Sequence, residues 1–119
     1  MDLGRFELCL KVANIVASRD FYEKLGFVVS GGNQAEGWLQ MANPSVRIAL
    51  YQGHVPANLL NFRGQDVFAL AQDLAAKGVK FDKAAEIEED GSAGAWLRDP
   101  DGNLIYLNTF PGETIEGSV

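Results

Sequence analysis

Apolar and polar residues alternate from Arg5 to Val12. Leu8, Leu10 and Val12 fall on one side and Glu7, Cys9 and Lys11 on the other, the period-two pattern of a strand with one covered face. The period then lengthens. Asn14 has the side chain of a helix N-cap, Ile15, Ser18, Tyr22 and Leu25 recur near one helical face, and Gly26 supplies the left-handed stop. Phe27-Val28-Val29 opens a second strand, which Gly31-Gly32 is expected to break.

The same order of signals returns. Asn58 to Arg63 reads as a strand, Asp66 as a cap, Val67, Leu70, Ala71 and Leu74 as a buried helical stripe, Gly78 as a stop, and Val79-Lys80-Phe81 as the opening of a further strand. Asn14 and Asp66 stand 52 positions apart, as do Gly26 and Gly78. Gly37-Trp38-Leu39-Gln40, then Asn43-Pro44 and a strand from Val46 to Tyr51, echo in Ala95-Trp96-Leu97-Arg98, Asp99-Pro100 and a strand from Leu104 to Asn108. Each half therefore predicts strand, helix, strand, strand, strand. A unit of about 50 residues buries too little surface to be stable alone, so the two halves are expected to pack together. The boundaries this implies are a first module over 1–52, a linker over 53–57, a second module over 58–110 and a tail over 111–119. The predicted fold class is α+β: two tandem βαβββ modules forming a curved mixed sheet with the helices on its outer face.

Composition narrows the function. The chain has 119 residues, 47% of them hydrophobic and 22% charged, as in an ordinary globular domain. The absence of an apolar run of about 18 residues excludes a membrane-spanning helix, and the first residues lack the layout of a secretion signal. Cys9 is the sole cysteine, so neither an intrachain disulfide nor a cysteine zinc cluster can form; a cytoplasmic location is expected. A net charge of −6 argues against a nucleic-acid partner and permits a basic ligand.

Three stretches carry a family resemblance. The run from Val12 to Phe27 is similar to the pattern V-x-D-x-x-x-S-x-x-F-Y-x-x-L-G-F, Asp66 to Val79 repeats its helix and glycine, and Arg98-Asp99-Pro100-Asp101-Gly102-Asn103 contains D-P-D-G-N. In this order they resemble the vicinal oxygen chelate superfamily, which includes glyoxalase I, bleomycin-resistance proteins, fosfomycin-resistance enzymes and extradiol dioxygenases. The resemblance implies a homodimer with a ligand cup completed by both chains. It also implies metal-ligand positions, which fall here on Glu7, Leu59 and Tyr106, with Ala49 and Tyr51 beside Arg47 on the matching strand of the first module. Of these only Glu7 is an ordinary ligand, so no metal site and no cofactor are expected. His54, the sole histidine, lies in the linker and is read as solvated.

Alternation instead offers a lining of Glu7, Trp38, Arg47, Tyr51, Leu59, Asn61, Arg63, Trp96 and Tyr106 for a small-molecule ligand. Glu7 could be a general base, a hook for a cation, or simply the ion-pair partner of Lys11 or Arg63. Tyr106 and the tryptophans could contact a ligand or pack as core, Cys9 reads as a buried inert thiol, and Arg47 and Arg63 could clamp an anion. Two functions remain. One is a metal-independent protein that binds or sequesters a small molecule, as bleomycin-resistance proteins do. The other is a glyoxalase-like lyase or isomerase with Glu7 as base or metal ligand.

Overall fold

A computed structural model describes residues 1–113; the part of the expected tail from 114 onward lies outside the described residues. The first module consists of β1 (Arg5–Lys11), α1 (Ile15–Lys24), β2 (Val28–Asn33), β3 (Trp38–Asn43) and β4 (Val46–Tyr51), with a single 3-10 turn at Gln34–Glu36. The second consists of β5 (Leu59–Arg63), α2 (Val67–Ala76), β6 (Lys83–Ile87), β7 (Ala93–Arg98) and β8 (Leu104–Thr109). Strand order is the same in both: β1-β4-β3-β2 in the first module and β5-β8-β7-β6 in the second. β1 lies parallel to β4, while the β2–β3, β3–β4, β6–β7 and β7–β8 pairs are antiparallel. The chain forms two compact units, Glu7–Leu59 and, for the second, Leu60 onward together with Met1–Phe6.

Both helices start and stop by the same chemistry. Asn14 Oδ1 accepts hydrogen bonds from the backbone N–H groups of Val16 and Ala17, and Asp66 Oδ1 accepts one from that of Ala69. At the other end the N–H of Phe27 donates to the carbonyl of Tyr22, and that of Val79 to Leu74, each across a glycine at positive φ. The helices cover separate cores. Ile15 packs with Leu39, Met41, Ile48 and Leu50; Val67 and Leu70 pack with Ala95, Leu97 and Leu107. The Asp99 turn is built by its own carboxylate, which accepts from the side chain and N–H of Asn103 and from the N–H of Asp101. These bonds, that to the Asn103 side chain foremost, hold the Asp99 carboxyl below its usual range.

Four expectations need correction. Gly31-Gly32 does not end β2; the strand runs through to Asn33 with a bulge between Val29 and Gly31. The glycines are needed because β3 approaches closely: a Cβ on Gly31 would stand 2.5 Å from Gln40 Oε1, and one on Gly32 2.6 Å from the Trp38 carbonyl oxygen. Val79-Lys80-Phe81 forms no strand. Val79 closes α2, and it and Phe81 pack against the core, so β6 begins only at Lys83, beside Trp96. Leu25, grouped on one helical face with Ile15 and Tyr22, caps α1 and is exposed, as is Phe21; Phe27 packs against the core instead. Finally, Trp38 and Trp96 are not equivalent. Trp38 pairs with Tyr51 at the start of β3, whereas Trp96 pairs with Tyr106, and its counterpart in the first module is Gln40, paired with Ala49. The slip is of two residues, so both tryptophans keep the same face.

Candidate functional site

Alternation sends every second residue of these strands to the face away from the helix. In the first module the register lays out two rows there: Cys9, Ala49 and Gln40, then Lys11, Tyr51 and Trp38. Arg47 lies opposite Ala42, and Glu7 belongs to the same end of the face. Arg47 is exposed, Glu7, Trp38 and Tyr51 are half-buried, and Cys9, Ala49 and Leu59 are buried. Lys11 and His54 have structural work. The backbone N–H of Lys11 donates to Asn58 Oδ1 and its Nζ reaches the Pro56 carbonyl, while His54 Nε2 lies 2.6 Å from the Glu36 carbonyl oxygen and so carries the proton. The linker is thereby tied to the first module.

In the second module Asn61, Arg63, Trp96 and Tyr106 share the face away from α2. All four have partners within the module. Asn61 Oδ1 accepts from Asn108 Nδ2. Arg63 holds Glu113, Nε to Oε2 at 2.6 Å and Nη2 to Oε2 at 2.5 Å, and its guanidinium lies 4.8 Å from the centre of the Phe110 ring. Trp96 and Tyr106 stack nearly parallel, 4.0 Å between ring centroids with 18° between planes.

Sequence reasoning missed what surrounds that stack. Glu88 leads from β6 into a tight hairpin: its N–H donates to the Ser92 carbonyl, the Gly91 N–H returns to the Glu88 carbonyl, and Asp90 accepts from the N–H and hydroxyl of Ser92. One carboxylate oxygen of Glu88, Oε2, lies 3.7 Å from Lys83 Nζ, which pairs more closely with Glu86 at 2.8 Å. The other, Oε1, is buried and accepts no hydrogen bond. Gly94 makes the space: a Cβ there would stand 2.6 Å from the Tyr106 hydroxyl and 3.1 Å from Glu88 Oε1. Burial pushes the Tyr106 hydroxyl pKa up; the charges of Glu88 and Asp90 push it further, against a smaller opposing pull from Lys83. The hydroxyl therefore sits in a net negative field. The available signal was the run Glu86-Ile87-Glu88, whose period of two puts both carboxylates on one face, next to a glycine inside a strand.

The donor set at the family's ligand positions does not suit a metal. Leu59 and Ala49 have no ligating atom, and Tyr106 is a phenol kept neutral by its surroundings. Among the described residues no group of three or more His, Cys, Asp or Glu side chains converges. A separate cleft of about 620 Å³ lies between the start of α2 and the turn after β8, lined by Asp66, Phe68, Ile87, Thr109 and Phe110 among others. Two of its polar groups are used internally, Asp66 as the cap of α2 and the Thr109 hydroxyl as donor to the Gln65 carbonyl. No helix among the described residues is long and apolar enough to cross a membrane.

The pattern of the Glyoxalase/Bleomycin resistance protein/Dioxygenase superfamily matches residues 5–107. No curated protein sequence matches the chain. Among solved structures, a Legionella pneumophila protein described as an NAD-dependent benzaldehyde dehydrogenase superposes with a TM-score of 0.74 at 13% identity, covering 89% of this chain and 99% of that one. A superfamily member from Vibrio splendidus 12B01 gives 0.66 at 18% identity, covering 88% and 97%. A Streptomyces coelicolor methylmalonyl-CoA epimerase variant in complex with 2-nitronate-propionyl-CoA gives 0.64 at 20% identity, covering 96% and 99%. At these identities the likeness establishes the fold.

Proposed function

The chain belongs to the glyoxalase/bleomycin resistance/dioxygenase superfamily, and from that premise we propose that it binds a small organic molecule on the strand face away from its helices without drawing on a metal. The observation that supports this best is the Trp96–Tyr106 stack, an aromatic surface only half-buried and next to a hydrogen-bonded hairpin. Aromatic floors with a few fixed polar groups are the usual make-up of a ligand site. The donor set at the family's metal positions supports the same reading, since only Glu7 among them is an ordinary ligand and one carboxylate does not make a site. Like other short chains on this scaffold, the protein is proposed to act as a homodimer. β2 presents Val28 and Val29, both exposed, on an edge with no charged residue to deter pairing.

A thermal-shift screen across antibiotics, aromatic amines and glutathione adducts tests the reading. A ligand should raise the melting temperature of the parent protein by mass action and lose most of that effect in Trp96→Ala. Hits that act equally on Trp96→Ala would move the site elsewhere. A screen without hits, with turnover appearing on an added divalent ion, would replace binding by metal-dependent catalysis.

A further inference from the structure

Ala95 and Leu107 pack beneath α2, and the next row on the same side of the sheet, Ile87, Ala93 and Thr109, lines the cleft of about 620 Å³ together with the start of that helix. Phe68, Ile87 and Phe110 keep exposed apolar surface there. The first module treats the equivalent place differently. The first N–H of α1, that of Ile15, donates to the side-chain carboxamide of Gln52 at 2.9 Å. Ile15 corresponds to Val67, and Gln52, two residues beyond Leu50, corresponds to Thr109, two beyond Leu107. The Thr109 hydroxyl is turned to the Gln65 carbonyl instead, and the Asp66 carboxylate takes the N–H of Ala69, so no described side chain meets the Val67 N–H. Gln65 adds a second unmade bond. It is only 9% exposed, and its side-chain amide has no hydrogen-bond partner among the described residues. Neither amide atom is sealed from solvent, so the amide opens on the cleft that it lines. A buried amide without a partner is uncommon and calls for one from outside.

We propose that this cleft is a second ligand site, separate from the strand face, and that it takes a neutral carboxamide carried on a compact apolar or aromatic body. The first module supplies the template. The ligand's amide oxygen accepts from the Val67 N–H as Gln52 Oε1 accepts from that of Ile15. Its N–H donates to Gln65 Oε1, an amide being donor and acceptor at once. The body lies against Phe68, Ile87 and Phe110, within the volume usual for small-molecule sites. Charge selects the amide over its ionised analogues. The Asp66 carboxylate opposes a second carboxylate at this spot, and the positive end of α2 opposes an amidinium.

Benzamide, benzoate and benzamidinium share one shape, and titrating each into isotope-labelled protein under NMR tests the site. Benzamide should shift the Val67 backbone N–H and the Gln65 side-chain amide, with both ions about threefold or more weaker. Gln65→Leu, close in volume, should weaken benzamide about threefold to tenfold, the worth of one hydrogen bond. It should not lower the melting temperature, because the amide it removes bonds nothing among the described residues. Thr109→Gln writes the first module's Gln52 into the second. Its carboxamide should take the Val67 N–H and weaken benzamide about tenfold or more, since a tethered group competes at high effective concentration. Should Thr109→Gln fail to fold, Gln65→Leu decides alone. A parent in which benzamide leaves Val67 unshifted, either ion binding as tightly as benzamide, or undiminished benzamide binding by a folded form of either variant would each overturn the site. Shifts confined to the Trp96 indole N–H would place the amide on the strand face and leave the cleft without a ligand.

Discussion

On the face away from its helix the first module places Ala49 between Cys9 and Gln40; at the equivalent point the second places Tyr106 against Trp96. On the helix-facing side both modules stay apolar: Ile48 and Leu50 correspond to Ile105 and Leu107, Met41 gives way to Leu97 and Leu39 to Ala95, and the helix caps and closing bonds coincide. The helix-facing side of each module keeps its apolar character, whereas the side away from the helix changes in size and polarity. Packing explains the asymmetry, since a core position tolerates few changes of volume while a surface facing solvent or ligand tolerates many. In the first module the row is closed by small residues, with Ala49 and Cys9 buried. In the second Gly94 leaves room for the Tyr106 ring, which stacks on Trp96, with an acidic hairpin at its margin. The candidate chemistry is therefore concentrated in the second module.

The core comparison is broken most directly by Leu50→Ala and Leu107→Ala. Both side chains are almost wholly buried at equivalent positions, so each should cost about 2–5 kcal/mol, and the two losses should be alike. Urea unfolding of each variant against the parent measures this. A loss from one position several times that from the other would mean that the modules are not energetically equivalent.

The fold was legible because its signals are local and occur twice. Asn14 and Asp66, Gly26 and Gly78, and the alternation in β1, β4 and β8 each follow from a side chain acting on nearby backbone or on its own strand face. What escaped depended on a neighbouring strand. Gly31 and Gly32 read as breakers until β3 is seen pressing on them, and Val79 and Phe81 read as a strand until the core claims them. The candidate face was legible in part. Alternation put Glu7, Trp38, Arg47 and Tyr51 together, and likewise Asn61, Arg63, Trp96 and Tyr106, but not which polar groups are already used. Arg63 is paired with Glu113, 50 positions away, and Asn61 accepts a hydrogen bond from Asn108. Glu88 went unread, because its buried oxygen results from the hairpin that folds it back toward Gly94.

A smaller effect sharpens the contrast between the two faces. Ala49→Tyr writes the second module's residue into the first module's closed row. Ala49 is fully buried between Cys9 and Gln40, so the ring must displace neighbours, at a cost of about 1–3 kcal/mol. Tyr106→Phe keeps the stack and removes only the hydroxyl, and should cost less. Thermal unfolding of the two variants gives the order. If Ala49→Tyr were neutral, the first module would hold a latent pocket and the division of labour between the modules would fail.

The smallest expected effect concerns Glu113, which the second module alone uses to hold an arginine of its first strand. Burial pushes the Glu113 carboxyl up, but the hydrogen bond from Arg63, the N–H of Phe110 and the charges of Arg63 and Arg5 outweigh it and hold the pKa below the ordinary 4.5. A depressed folded-state pKa stabilises the folded chain above the unfolded value and loses that contribution as pH falls through the folded one. Glu113→Gln should thus lower stability near neutrality by less than about 1 kcal/mol, because Arg63 remains partly exposed and water screens the pair. The difference from the parent should hold at pH values above the ordinary carboxyl range and shrink as the pH is taken below it. Melting curves of parent and variant across that range measure the difference. A gap that persisted after the carboxyl is protonated would mean that Glu113 acts through its shape and its contact with Phe110 rather than through its charge.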